Sequence, residues 1–363
     1  RGQPGQDSRP MPTLSAIATA LPEHCLAQED IQSFAQRMFA GRLPEVKRLL
    51  PVFRNAGIET RYFCTPLDWF ERDHSLAERS DLYVRAATDL GANAARQVCE
   101  KNGVALDDID CIFYINTTGL ATPSIDARLI NRLELRPDIR RTPIWGLGCA
   151  GGVAGLTRAC DYLRGHPAQR ALVVAVELCG LTFIRSDPSK SNFVACALFG
   201  DGAAAALLCG DEVAATGPNI VGMRSTFYPD SLEIMGWNIV TEGLQVVFNE
   251  RIPELVAEKA GPELRRFLSD HGLSQSDISD YLYHPGGKKV LAAYQSAYGV
   301  NGDAFRHSVD VLRDYGNMSS VTVLFVLDHF MKRLERPDRE TRGHAVVSAL
   351  GPGFSSESML LAY

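Results

Sequence analysis

The stretch WGLGCAGGVAGLTRACDYLRG, residues 145–165, decides how this chain reads. A short apolar segment over 143–147 runs into glycines, and an amphipathic helical pattern follows over 153–164. The change of period marks a strand turning into a helix, with Cys149 at the turn. A cysteine there faces unpaired backbone N–H groups and the positive end of the helix dipole. Both are expected to lower its pKa and to favour the nucleophilic thiolate. Gly148, Gly151 and Gly152 carry no side chains, so a substrate can approach the sulfur closely. The competing reading is a buried structural cysteine, the ordinary fate of this residue type. The glycine flanks and the strand-to-helix position are what favour a nucleophile.

Outward from this elbow the chain alternates apolar runs with helical patterns. CIFYIN (111–116), RALVVAVEL (170–178) and 203–209 read as buried strands, with helices over 81–101, 123–133 and 153–164 between them. Residues 210–222 are rich in Gly, Pro, Asp and Asn and make a boundary. The rhythm then resumes. A helix is expected over 252–271, a strand over 281–284, a helix from Lys288, another after Asn317, and a closing strand–turn–strand over 344–363. Strands alternating with helices imply a layered α/β fold. The expected units are a tail or remnant over 1–10 ahead of Met11, an N-terminal half over 11–215 carrying Cys149, and a C-terminal half over 216–363.

Composition narrows the function. At 363 residues and 45% hydrophobic content, the chain can bury one large core or two medium ones. The net charge of −6 comes without long runs of one sign, which argues against nucleic acid as a partner. No apolar run is long enough to span a bilayer, and no signal-peptide pattern opens the chain. Nine scattered cysteines, without CxxC or zinc spacing, predict reduced thiols in the cytoplasm and no metal site.

Two more positions join Cys149. His284, in YLYHPGGKKVL (281–291), ends an apolar strand just before Pro285-Gly286-Gly287. Asn317, in RDYGNMSSVTVLFVLDHF (313–330), follows Gly316 and precedes a helix. Both lie where a loop meets a buried element, a place that presents side chains to a cleft. Alone, each has a plainer account, as a structural histidine or a turn asparagine. Together the three form a chemical set. A thiolate needs an imidazole beside it, and an enolate oxygen needs N–H donors. Loss of CO2 from a malonyl thioester makes the carbanion without any general base.

On these residues the chain resembles a type III polyketide synthase of the chalcone synthase superfamily. The matching segments are the Cys149 elbow, ALFGDGAAA (197–205), YHPGGKKVL (283–291), YGNMSSVTVLFVLD (315–328) and GPGFSSE (351–357), in family order. The resemblance implies a thiolase-like α/β fold, two pseudo-duplicated halves in a five-layered αβαβα arrangement, acting as a homodimer. It implies acyl-CoA and malonyl-CoA as substrates and a catalytic triad of Cys149, His284 and Asn317. Cys149 would carry the acyl group, His284 would hold the thiolate, and both His284 and Asn317 would stabilise the enolate.

Further residues follow from the same resemblance. Phe199 matches a gating phenylalanine, and Gly351, Pro352 and Gly353 match a loop shaping the active-site wall. Thr117, Thr118 and Thr122 fall where relatives line the pocket, one across the dimer interface. Cys179, Thr182 and Phe183 fall in another lining stretch, and Trp237, Leu244 and Val246 in a third. Lys47, Arg48 and Arg54 are the candidates for the coenzyme A phosphates. WGLGCAGG with VELCGLTF is closer to the bacterial alkylpyrone and alkylresorcinol branch, which implies a medium- or long-chain fatty acyl starter; bulky Trp237 would shorten such a pocket. The alternatives are a single-condensation ketosynthase III, a synthase using an aromatic, short or malonyl-only starter, a cysteine hydrolase, and a non-catalytic scaffold. A hydroxymethylglutaryl-CoA synthase would need a catalytic glutamate near the nucleophile, and the sequence shows no such match.

Overall fold

The computed structural model describes residues 11–336 and 342–363; the expected tail over 1–10 lies outside the described residues. Its strands are β1 Thr13–Ala20, β2 His24–Ala27, β3 Thr60–Phe63, β4 Cys111–Asn116, β5 Arg140–Trp145, β6 Arg170–Leu178, β7 Asp201–Cys209, β8 Asn219–Phe227, β9 Met235–Val240, β10 Gly243–Phe248, β11 Ile278–Tyr283, β12 His344–Gly351 and β13 Ser355–Ala362. Nine of them form one mixed sheet in the order β11-β12-β13-β8-β1-β7-β6-β4-β5.

The sheet contains a repeat. β1 is antiparallel to β7, β7 is antiparallel to β6, and β6 is parallel to β4. β8, β13, β12 and β11 run through the same sequence of senses. The two halves meet where Thr13 of β1 pairs with Asn219 of β8.

Strand pleating turns this sheet into five layers, because alternate side chains serve opposite faces. In β6, Ala171, Val173 and Ala175 pack toward the helices Gly151–Arg164 and Thr322–Leu334. Leu172, Val174 and Val176 pack instead against Leu76–Lys101 and Ile125–Leu133. In β12, Ala345, Val347 and Ala349 join the same central cluster. Val346 faces Ile252–Ser269, Lys288–Tyr298 and Arg306–Tyr315. Two helices are thus enclosed between the sheet faces of the two halves, with a further helical layer outside each half. Strands covered on both faces must be apolar throughout, which is why 111–116 and 170–178 carry no alternation.

Several bounds differ from the sequence reading for local reasons. The first long helix starts at Leu76 rather than 81, because Ser75 and Glu78 close a capping box: Glu78 N–H donates to Ser75 Oγ at 3.2 Å and Ser75 N–H to Glu78 Oε2 at 2.8 Å. β5 reaches back to Arg140 through exposed residues because it is a sheet edge. β1 has no β-branched run to announce it; TLSAIATA is extended because strands flank it on both sides.

Candidate active site

Cys149 lies in a 3-10 turn, Gly148–Ala150, directly ahead of the helix Gly151–Arg164. Gly148 has φ +49°, and a Cβ there would come within 2.5 Å of Pro352 Cδ. Only glycine fits, so the Gly351-Pro352-Gly353 loop packs directly on the elbow. Gly148 N–H donates to Thr117 Oγ1 at 3.0 Å, fixing the turn to the end of β4.

The C-terminal half supplies the other side of the site. Cys149 Sγ donates toward Ser319 Oγ at 3.8 Å. Ser319 N–H donates to Asn317 Oδ1 at 2.8 Å, and Asn317 Nδ2 donates to the Gly286 carbonyl at 3.4 Å. His284 is the first residue after β11, and its N–H donates to the Ser348 carbonyl of β12 at 2.8 Å. Both ring nitrogens of His284 are buried without partners among the described residues. Cys149, Asn317 and His284 therefore converge, two elements from the C-terminal half meeting one from the N-terminal half. With Oδ1 engaged and one N–H directed at Gly286, Asn317 keeps a second amide N–H to present, and His284 is free to donate or accept. These are the donors that an enolate or thioester oxygen requires.

The electrostatics correct one expectation. Cys149 is partly accessible, yet it lies deep enough that burial pushes its thiol up to about 12, against the opposing pull of the Ser319 hydrogen bond and with a further push from Glu177. Burial also lowers His284 to about 3. Desolvation outweighs the helix terminus that the sequence reading relied on. Burial thus favours the neutral form of each group; the role expected of His284, as acceptor of the Cys149 proton, would make the two charges appear together. Replacing His284 by Gln removes the acceptor and leaves burial in control. Iodoacetamide alkylation of Cys149 at pH 7 is then expected to slow at least about tenfold, its pH midpoint moving upward. An unchanged rate would show that His284 does not ionise the thiol.

Glu177 was not nominated from the sequence. It sits in β6 with no exposure, beneath Cys149. Its Oε2 accepts from Thr117 N–H (2.9 Å), Thr118 N–H (3.0 Å) and Thr118 Oγ1 (2.7 Å), and its Oε1 accepts from Ser320 Oγ (2.5 Å). One carboxylate thus ties the end of β4 to the turn that follows Asn317. The available signal was a lone acid in an otherwise apolar run. Glu177→Ala would strand four buried donors, and a loss of about 3–5 kcal/mol in chemical denaturation is expected. Glu177→Gln keeps most partners and should cost less. Burial raises the Glu177 pKa. The folded wild type therefore holds its proton above the normal carboxylate range and loses that advantage as pH rises from 4.5. The gap between wild type and the Gln variant should narrow over that interval.

Next to Phe199, whose backbone bridges to Asn317, lies an apolar cavity of about 550 Å³, open solvent at its mouth included. Cys179, Thr182, Phe183, Phe199 and Val246, all nominated from the sequence, line it. Leu26, Ile31, Phe34, Phe63, Leu67 and Phe70 extend it into the N-terminal segment, and these carried no distinguishing signal. Cys179 lies close enough to Cys149 for the two sulfurs to interact electrostatically. Trp237 stands outside the lining, its ring 6.3 Å from Phe199 and its backbone opposite Val246 in the β9–β10 ladder. Leu244 is buried two residues before Val246. Thr117 and Thr118 are buried braces of the elbow, whereas Thr122 is exposed. Lys47, Arg48 and Arg54 are exposed on two short helices, Val46–Leu49 and Pro51–Asn55, and Arg48 pairs with Glu45 at 2.7 Å.

A five-layered fold of two repeated halves, with a cysteine elbow at their junction, defines a thiolase-like enzyme. Within that class the chain belongs to the chalcone and stilbene synthases: the family's N-terminal domain matches residues 2–212 and its C-terminal domain residues 219–363. It is a type III polyketide synthase, an acyltransferase. It is 38% identical to a putative chalcone synthase of Bacillus subtilis, over 97% of this chain and 99% of the relative. It is also 38% identical to a 1,3,6,8-tetrahydroxynaphthalene synthase of Streptomyces peucetius, over 97% and 93%. The solved 1,3,6,8-tetrahydroxynaphthalene synthase of Streptomyces coelicolor superimposes with a TM-score of 0.92 at 28% identity, covering 97% of this chain and 99% of the other. Among the described residues no helix is long and apolar enough to cross a membrane.

Proposed function

We propose that this synthase takes a medium- to long-chain fatty acyl-CoA starter, extends it with malonyl-CoA, and cyclises the product to an alkylpyrone or alkylresorcinol. The apolar cavity behind Cys179 carries this reading, because an acyl chain on Cys149 needs an apolar channel beside the sulfur. A Mycobacterium tuberculosis relative described as an α-pyrone synthesis polyketide synthase, 29% identical over 96% of this chain, is in keeping with it.

In this mechanism His284 takes the Cys149 proton, and the thiolate attacks the starter thioester, expelling coenzyme A. Malonyl-CoA then loses CO2. The N–H groups of His284 and Asn317 hold the enolate oxygen, and its carbon attacks the acyl-Cys149 carbonyl. The C–C bond forms as the C–S bond to Cys149 breaks, and the lengthened chain leaves on coenzyme A to be reloaded. Phe199 acts as the gate between the entry path and the cavity. Lys47, Arg48 and Arg54 meet the coenzyme A phosphates, with Lys288 beside them, its side chain lying against Gly57. The solved relative CsyB, bound to CoA-SH, has 26% identity and a TM-score of 0.88. The homodimer forms along the exposed edge of β5, where Trp145 Nε1 donates to the Gly119 carbonyl beside exposed Leu120 and Thr122. The compartment we propose is the cytoplasm, in keeping with nine cysteines that show no pairing pattern.

The deciding experiment is product mass spectrometry with malonyl-CoA and acyl-CoA starters from acetyl to palmitoyl, plus benzoyl. Triketide or tetraketide pyrones or resorcinols from fatty starters are expected. Turnover with malonyl-CoA alone, without gain from a fatty starter, would replace this reading by a malonyl-primed one.

A further inference from the structure

Arg61 of β3 is 1% exposed, and no carboxylate lies within ion-pair distance of it among the described residues. Burying a cation without a paired anion is costly, so its hydrogen bonds show what it is held for. Nη1 donates to the Phe199 carbonyl at 2.7 Å, and Nη2 donates to Gln28 Oε1 at 2.6 Å. Gln28 is buried as well, and its Nε2 donates to the Ala197 carbonyl at 2.9 Å and the Phe53 carbonyl at 3.1 Å. The pair therefore grips the segment 197–199 at two carbonyls.

That segment is joined to Asn317. Asn317 N–H donates to the Leu198 carbonyl at 2.9 Å, and Gly200 N–H donates to the Asn317 carbonyl at 3.0 Å. Gly316, at φ +70°, is pressed against the same arginine, since a Cβ there would lie 2.7 Å from Arg61 Cγ and Cδ. Phe199 comes from the N-terminal half and Asn317 from the C-terminal half. Arg61 reaches both sides of this bridge, through the Phe199 carbonyl and through its packing on Gly316.

We infer that Arg61, oriented by Gln28, is a positioning residue that sets Asn317 and Phe199 as one unit for decarboxylation and condensation. The inference rests on the function proposed above. Arg61 also stands in the wall of the apolar cavity, but its hydrogen bonds run to the Phe199 carbonyl and to Gln28, so its main effect is expected in the malonyl half-reaction, read per loaded site. The planar fork of arginine reaches the Phe199 carbonyl and Gln28 together, whereas a lysine ammonium reaches one at a time.

The test uses Arg61→Lys and Gln28→Leu, the second removing the orienting amide while keeping its volume. Starter loading on Cys149 is read by intact mass, which also counts folded active enzyme, and malonyl-CoA decarboxylation is measured per loaded site. In both variants decarboxylation kcat per loaded site is expected to fall about tenfold or more at little-changed KM, and further than starter loading falls. Wild-type decarboxylation in both variants, or equal loss of loading and decarboxylation, would overturn the positioning role alone. A wild-type enzyme that neither loads Cys149 nor decarboxylates malonyl-CoA would overturn the proposed function and this inference with it.

Discussion

Cys149→Ala is expected to abolish polyketide formation, by at least about four orders of magnitude, while malonyl-CoA decarboxylation continues. The two outcomes separate because they use different parts of the site. Chain extension needs the acyl group on sulfur, and no other nucleophile stands at the elbow. In the proposed mechanism, enolate stabilisation uses the N–H groups of His284 and Asn317. Those residues are anchored independently of Cys149, through Ser348, Gly286 and the 198–200 bridge. Liquid chromatography with mass detection of polyketides and of acetyl-CoA reads both. Polyketide surviving in the variant would remove Cys149 from the mechanism. Loss of decarboxylation as well would mean that the cysteine helps to hold the malonyl thioester.

Ala195→Phe should shift starter preference by at least about a hundredfold in kcat/KM, against palmitoyl-CoA and in favour of acetyl- or butyryl-CoA. Ala195 lines the cavity beside Phe199 and Val246, so a ring there occupies the path of an acyl chain. Each methylene denied burial forfeits about 0.8 kcal/mol, and several methylenes account for the shift. The ring enters space that is already open, so its stability cost should stay at the low end of the roughly 1–3 kcal/mol usual for overpacking. Competition assays with mixed starters, read by product mass, decide it. A uniform fall for all chain lengths would mean that the cavity is not where the acyl chain lies.

The sequence carried the local part of this site well and the distant part poorly. The Cys149 elbow was legible because a strand period, glycines and a helix period follow one another within twenty residues. His284 and Asn317 each sat at the end of an apolar element, and the family resemblance joined them to Cys149. Glu177 was passed over because a single acid in RALVVAVEL looks like an interruption until its four donors are in place. Arg61 and Gln28 were passed over for the same reason: each is an ordinary polar residue in a mixed segment, and their partners are 25 to 169 residues away. The helix start at Leu76 could have been read from Ser75 and Glu78.

By itself, then, the sequence determined which strands are buried on both faces, where the Cys149 elbow turns, and which family the chain belongs to. These depend on periodicity and on short contiguous motifs, which neighbours in the chain define. The tertiary structure alone decided the burial that favours the neutral forms of Cys149 and His284, the extent of the apolar cavity, and the bracket beneath Phe199 and Asn317. Each depends on what surrounds a group in space. Desolvation, cavity volume and hydrogen-bond partners arise only when the two halves of the sheet close on the same pair of central helices.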